Sequence, residues 1–154
     1  QLFPAAMENI DLADFCAVVC ATGQALCAPR NLQFVSDFSP GSTMFRGRKQ
    51  DLTRAMENLL VNATRFTPQG QKVFFQCHTD AVGITFFVRN EGSAFPPGVL
   101  QSGGQMLSTG NAARNDGHQG LGLYFARTVA ESHGGRLVLT NTKEGACASV
   151  WIPL

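Results

Sequence analysis

The chain has 154 residues, 44% of them hydrophobic and 15% charged, which suits one folded domain and is too apolar for disorder. Its 12 basic and 11 acidic side chains leave a net charge of +1, with no basic surplus to neutralise phosphates, so no nucleic-acid partner is expected. No apolar run approaches the roughly 20 residues of a membrane span, and the chain opens at Gln1 with neither a start Met nor a signal pattern, so it reads as a soluble piece of a longer protein.

Residues 1–10 read as a linker from whatever precedes them. Asp11 is placed to cap a helix over 12–28, with Asp14 at the capping-box position, and Pro29 ends it. Cys16, Cys20 and Cys27 fall on this helix, and Cys77 and Cys147 complete a set of five. No pair has CxxC spacing and no His or Cys cluster accompanies them, so buried reduced thiols are expected. Residues 31–38 alternate apolar and polar as a half-buried strand does, and a short strand follows the SPGS turn. Between 49 and 66, Leu52, Ala55, Met56, Leu59, Leu60, Ala63 and Phe66 recur at helical spacing, a core-facing stripe. Residues 72–79 and 83–90 read as two strands joined in a hairpin. From 91 to 120 the chain is rich in Gly, Ser, Asn and Gln; a stretch of that composition cannot bury a core, and its length marks a functional loop. A helix over 120–135 and strands over 136–142 and 146–154 close the chain. This order predicts a two-layer α/β sandwich: a mixed sheet of about five strands, three helices on one face, and a long mobile lid.

Three groups of residues carry candidate chemistry. On the helix over 49–66, Asn58, Asn62 and Arg65 share one side, and Asp51 falls on the same line. Two Asn on a helix want a reason, because Asn is a mediocre helix former. A carboxamide oxygen is a neutral hard ligand for Mg²⁺, and a guanidinium is a fork for phosphate oxygens; the alternative is a solvated polar face. Second, Gly120-Leu121-Gly122-Leu123 opens a helix after a Gly-rich loop, where free N–H groups and the helix dipole suit a phosphate; the alternative is a joint that needs small residues. The spacing is neither GxGxxG nor GxxxxGK[ST]. Third, Asn90 stands at a strand end before Glu91-Gly92-Ser93-Ala94-Phe95-Pro96, where an amide could read a base edge or simply open a turn.

In order and spacing, these groups resemble the GHKL family of ATP-binding domains, most closely the catalytic domain of bacterial sensor histidine kinases. Residues 51–66 resemble its N box, 88–96 its G1 box, Gly120-Leu121-Gly122-Leu123 its G2 box, and Glu144-Gly145-Ala146-Cys147 with the final WIPL its last box and strand. The resemblance covers nearly the whole chain and implies one ATP-binding domain over 1–154. It implies that Asn62 ligates the Mg²⁺ of bound ATP, with Asn58 beside it. Arg65, where Lys is usual, would contact phosphate, and Phe66, where Tyr is common, would wall the adenine. Asn90 takes the place of the adenine-reading Asp. Gly92 keeps the family glycine, and Ala94 replaces the second. Gly120 and Gly122 would bring backbone N–H groups to the phosphates, within a cofactor-binding stretch that includes His118, Leu121 and Leu123. Residues from about 97 to 119 would form the ATP lid, anchored by Met106 or Leu107. A neutral amide at 90 loses the charge-assisted part of the adenine contact, about one decade of affinity.

Hydrolytic members of the superfamily carry a Glu four residues before the metal-binding Asn. Here that position is Asn58, and Glu57 points elsewhere on the helix. The resemblance therefore implies a kinase: transfer of the γ-phosphate to a histidine on an upstream helical dimerisation domain, and from there to a response regulator. The alternatives are a degenerate domain of the same fold that acts by contact between domains, and a serine kinase of the anti-sigma-factor type. The piece itself is expected to be monomeric and cytoplasmic, and anchoring of its parent in the inner membrane is left open.

Overall fold

The computed structural model describes residues 6–103 and 117–154, with side chains of the second stretch from Gly122 onward. Elements follow in the order β1 (Glu8–Asp11), α1 (Leu12–Cys27), a 3-10 turn (Ala28–Arg30), β2 (Gln33–Phe38), β3 (Met44–Gly47), α2 (Lys49–Arg65), β4 (Lys72–Thr79), β5 (Gly83–Glu91), α3 (Pro97–Ser102), α4 (Gly117–Ser132), β6 (Arg136–Asn141) and β7 (Gly145–Pro153).

Five strands form one mixed sheet in the order β2-β4-β5-β7-β6. β2 runs parallel to β4, and every other neighbouring pair is antiparallel. Strand side chains alternate between the two faces of a sheet, and the register aligns one row. Val73, Phe75 and Cys77 of β4 stand opposite Asn90, Val88 and Phe86 of β5, which stand opposite Ala146, Ala148 and Val150 of β7. This face is buried beneath α1, α2 and α4, as the sequence predicts. The helices supply Leu12, Phe15, Val19, Leu52, Met56, Leu59, Leu60, Leu123, Ala126 and Val129 to the same core.

The linker expected over 1–10 ends early. Residues 8–11 form β1, which pairs antiparallel with β3 in a separate two-stranded sheet and buries Ile10. Its hydrogen bonds come from β3, a partner no local pattern indicates. A second difference concerns apolar length. Counted with its 3-10 turn, the helix Leu12–Arg30 is long and apolar enough to cross a bilayer by length and composition alone, contrary to the sequence reading. In the fold its sheet-facing residues Leu12, Phe15, Cys16 and Val19 belong to the core. Asp11 caps it as expected, accepting from the Asp14 N–H at 3.2 Å.

The third difference lies in the Gly-rich stretch. Its first part does bury core: Phe95 and Val99 are buried, and Pro97–Ser102 is a helix, α3. The rest of the expected lid, with Met106 and Leu107, lies outside the described residues.

Candidate functional site

The apolar stripe of α2 faces the core, and that burial fixes the helix's rotation and hence where its polar residues go. Asn62 is drawn inward to 8% exposure, Asn58 one turn earlier is half-buried, and Arg65 is exposed in the last turn. Asn62 Oδ1 is buried without a hydrogen-bond partner, a condition shared among the described residues only by Asp51 Oδ2. An unpaired buried carbonyl costs about 1–3 kcal/mol, so an oxygen left in that state is an acceptor waiting for a donor or a cation.

α4 packs along α2, and Arg54 lays its guanidinium over the Phe125 ring, 4.5 Å from the centroid. This pairing brings the Gly-Leu-Gly-Leu segment to the Asn side of α2. A Cβ added at Gly122 would lie 3.6 Å from Asn58 Cβ, in van der Waals contact. Leu123 turns into the core. The helix starts at Gly117, three residues earlier than predicted, so its first-turn N–H groups belong to residues 117–120, among them His118 and Gly120. Gly122 stands in the second turn, where its N–H joins the helix ladder. Its contribution is close approach rather than a free donor. The side chains of His118 and Leu121 lie outside the described residues.

The loop after β5 closes the third side. Asn90 is buried, and its Nδ2 donates to the carbonyls of Glu91 at 3.1 Å and Ser93 at 3.2 Å. Two carbonyl oxygens around one end of the amide require the NH₂ there, which turns Oδ1 the other way. Gly92 adopts φ +103°, and a Cβ there would collide with the Pro68 ring. The Gly92 N–H donates to the Glu144 carbonyl at 2.7 Å, and the Ser93 N–H to that of Phe66 at 3.3 Å. Phe66, half-buried at the end of α2, thus stands beside the loop through its own backbone. Ala94 is exposed.

One residue the sequence reading missed holds this loop. Asn141, at the end of β6, accepts the Phe95 N–H at 2.8 Å and donates to the Phe95 carbonyl at 3.1 Å. Its only sequence signal was a polar residue at a strand end. His133, just past the end of α4, has a structural task. Its Nε2 accepts the Arg48 N–H at the start of α2, a helix whose N-cap side chain makes no capping bond, and its Nδ1 donates to the Val129 carbonyl. Burial, aided by Arg48 and opposed by the Val129 bond and Asp51, holds this imidazole below its ordinary pKa. Glu57 lines an open groove on the α1 side of α2 with Val18 and Thr53, away from this site, as the helical wheel predicts.

Comparisons with known proteins bear on the family and the fold. A family profile described as histidine kinase-, DNA gyrase B- and HSP90-like ATPase matches residues 47–154. Sensor histidine kinase SpaK of Bacillus subtilis is 36% identical over 107 residues, which cover 68% of this chain and 23% of SpaK. Nisin biosynthesis sensor protein NisK of Lactococcus lactis subsp. lactis is 33% identical over 104 residues, 67% of this chain and 23% of NisK. The chain thus spans about a quarter of the length of these relatives. The catalytic domain of histidine kinase ThkA superposes with a TM-score of 0.82 at 18% identity, covering 96% of this chain and 97% of that one, a likeness of fold. The profile covers more than half of the chain, and on that basis the chain belongs to the family of histidine kinase-, DNA gyrase B- and HSP90-like ATPases.

Proposed function

We propose that this chain binds Mg-ATP between α2, the loop after β5 and the start of α4, and presents the γ-phosphate to a histidine on an upstream helical dimerisation domain of a two-component sensor kinase. The observation that carries the reading is the unpartnered, buried Oδ1 of Asn62, one turn from the Asn58 that Gly122 approaches. That oxygen fits Mg²⁺, a hard cation that takes oxygen ligands and keeps several waters. Asn62 would hold the ion, and the ion when bound would neutralise phosphate charge. Arg65, exposed at the end of α2, offers its guanidinium to phosphate oxygens. The first-turn N–H groups of α4 give a second set of donors. Asn90 presents Oδ1 to the adenine amine, because its own NH₂ is spent on the Glu91 and Ser93 carbonyls.

Transfer rather than hydrolysis follows from the residue at 58. A carboxamide cannot take a proton from water, and Glu57 faces the α1 groove. In the parent protein the phosphate would pass from the histidine to a response regulator, with this domain in the cytoplasm and the parent anchored in the inner membrane. Titration with ATP tests the reading. Saturable binding that needs Mg²⁺ and is lost in Asn62→Ala is expected, and no binding at millimolar nucleotide overturns it. Mixing the chain with a separately supplied histidine-bearing dimerisation domain should yield acid-labile phosphohistidine.

A second reading, a degenerate domain acting through contact, rests on Asn90 and Ala94 in place of the expected residues. Normal autophosphorylation of the intact protein with Asn90 in place would remove it.

A further inference from the structure

We propose that Cys16 and Cys77 form an oxidisable thiol pair, a modification site at which a peroxide oxidises Cys77 and Cys16 then closes a disulfide between α1 and β4. The pair stands apart from the nucleotide cleft, and the proposal holds whether or not the chain binds ATP. The fold brings the two residues together from distant points in the sequence. Cys77 lies on the helix-covered face of β4, between Phe38 of β2 and Phe86 of β5. Phe15, the neighbour of Cys16, packs its ring 5.3 Å from that of Phe86, so α1 crosses the sheet over this row. Both cysteines are free thiols.

Their surroundings divide the roles. Cys16 is fully buried. Cys77 is partly exposed and lines an open pocket of about 360 Å³ with Asp37, Ser39, His78 and Thr79, so a small oxidant reaches Cys77 first. The Cys16 and Cys77 thiols lie within hydrogen-bonding reach of each other. That contact and burial raise the Cys16 thiol above its ordinary range, which suits the resolving role rather than the first attack. Cys77 is the thiol a small oxidant can reach, so chemistry starts there, on its thiolate. Its sulfur attacks the peroxide, an S–O bond forms as the O–O bond breaks, and the leaving oxygen departs as water or an alcohol. The Cys16 sulfur then attacks the sulfenic acid, the S–S bond forms, and hydroxide leaves with the Cys16 proton as water. The pair gives up two electrons and the peroxide takes them. The other cysteines are placed less well. Cys20 interacts with Ser36, Cys147 sits on the opposite face of the sheet opposite Arg89, and Cys27 ends α1.

Non-reducing peptide mapping of the folded chain after hydrogen peroxide, with denaturation and alkylation, tests this. The expected product is lighter by two hydrogens and carries one crosslink joining Cys16 to Cys77, with Cys20, Cys27 and Cys147 alkylated. Cys77→Ser should lose the crosslink, Cys147→Ser should keep it, and Cys16→Ser should stop at a dimedone-reactive sulfenic acid on Cys77. The proposal fails if Cys77 of the unsubstituted chain stays alkylatable, if the crosslink joins any other pair, or if it forms between two chains.

Discussion

Replacing Asn62 by Leu separates the needs of the fold from those of the site. The two side chains branch alike, and position 62 is 8% exposed on a helix packed against the core. The substitution removes a buried oxygen that has no partner. That term alone is about 1–3 kcal/mol, and Leu adds buried apolar area and a better helix propensity. A net gain of about 2 kcal/mol in the nucleotide-free chain corresponds to a rise in Tm of about 4–8 °C for a domain of this size. The unsubstituted chain should respond oppositely to ligand. At nucleotide a hundredfold above Kd with Mg²⁺ present, mass action adds about 2.7 kcal/mol, whereas the Leu variant should show no magnesium-dependent shift. Thermal unfolding by circular dichroism, with and without Mg-ATP and EDTA, reads both effects. A Leu variant that melts below the unsubstituted chain without ligand, or that still shifts with Mg-ATP, would refute the argument that this oxygen is kept for a cation.

Asn90→Asp replaces a donor by a carboxylate facing the Glu91 and Ser93 carbonyls, so it should lower the nucleotide-free Tm, by about 1–3 kcal/mol in stability, whatever it does for adenine. Gly92→Ala meets both a positive φ and the Pro68 ring and should cost about 1–3 kcal/mol in urea unfolding; an unchanged midpoint would mean the loop has another conformation. His133 is held neutral, its folded pKa below the unfolded value of about 6.5, so the unfolded chain binds the proton more readily. Its contribution is fully present above that pH and is lost as pH falls through the folded pKa. The Tm should therefore fall from pH 7 to 5, and the NMR titration midpoint of His133 should lie below 6.5.

Much of the site is legible in the sequence because it rides on periodicity. The stripe from Leu52 to Ala63 predicts which side of α2 is buried, and that places Asn58, Asn62 and Arg65 together before any tertiary contact is known. The hairpin of β4 and β5, the Asp11 cap and the final strands are likewise local. β1 is not, because its pairing partner is more than thirty residues away. The same holds for Phe95 and Val99, apolar residues in a stretch whose composition suggests no core.

By itself the order of residues determined the kinds of element, the face each helix buries and the polar set that α2 offers, since these follow from backbone period and side-chain chemistry within a few turns. Only the tertiary structure decided that Asn62 keeps an unpaired oxygen, that the Asn90 amide is turned by two carbonyls, that His133 caps α2, and that Cys16 meets Cys77. Each of these depends on which distant group occupies the few ångströms around one atom, and packing of the whole chain sets that.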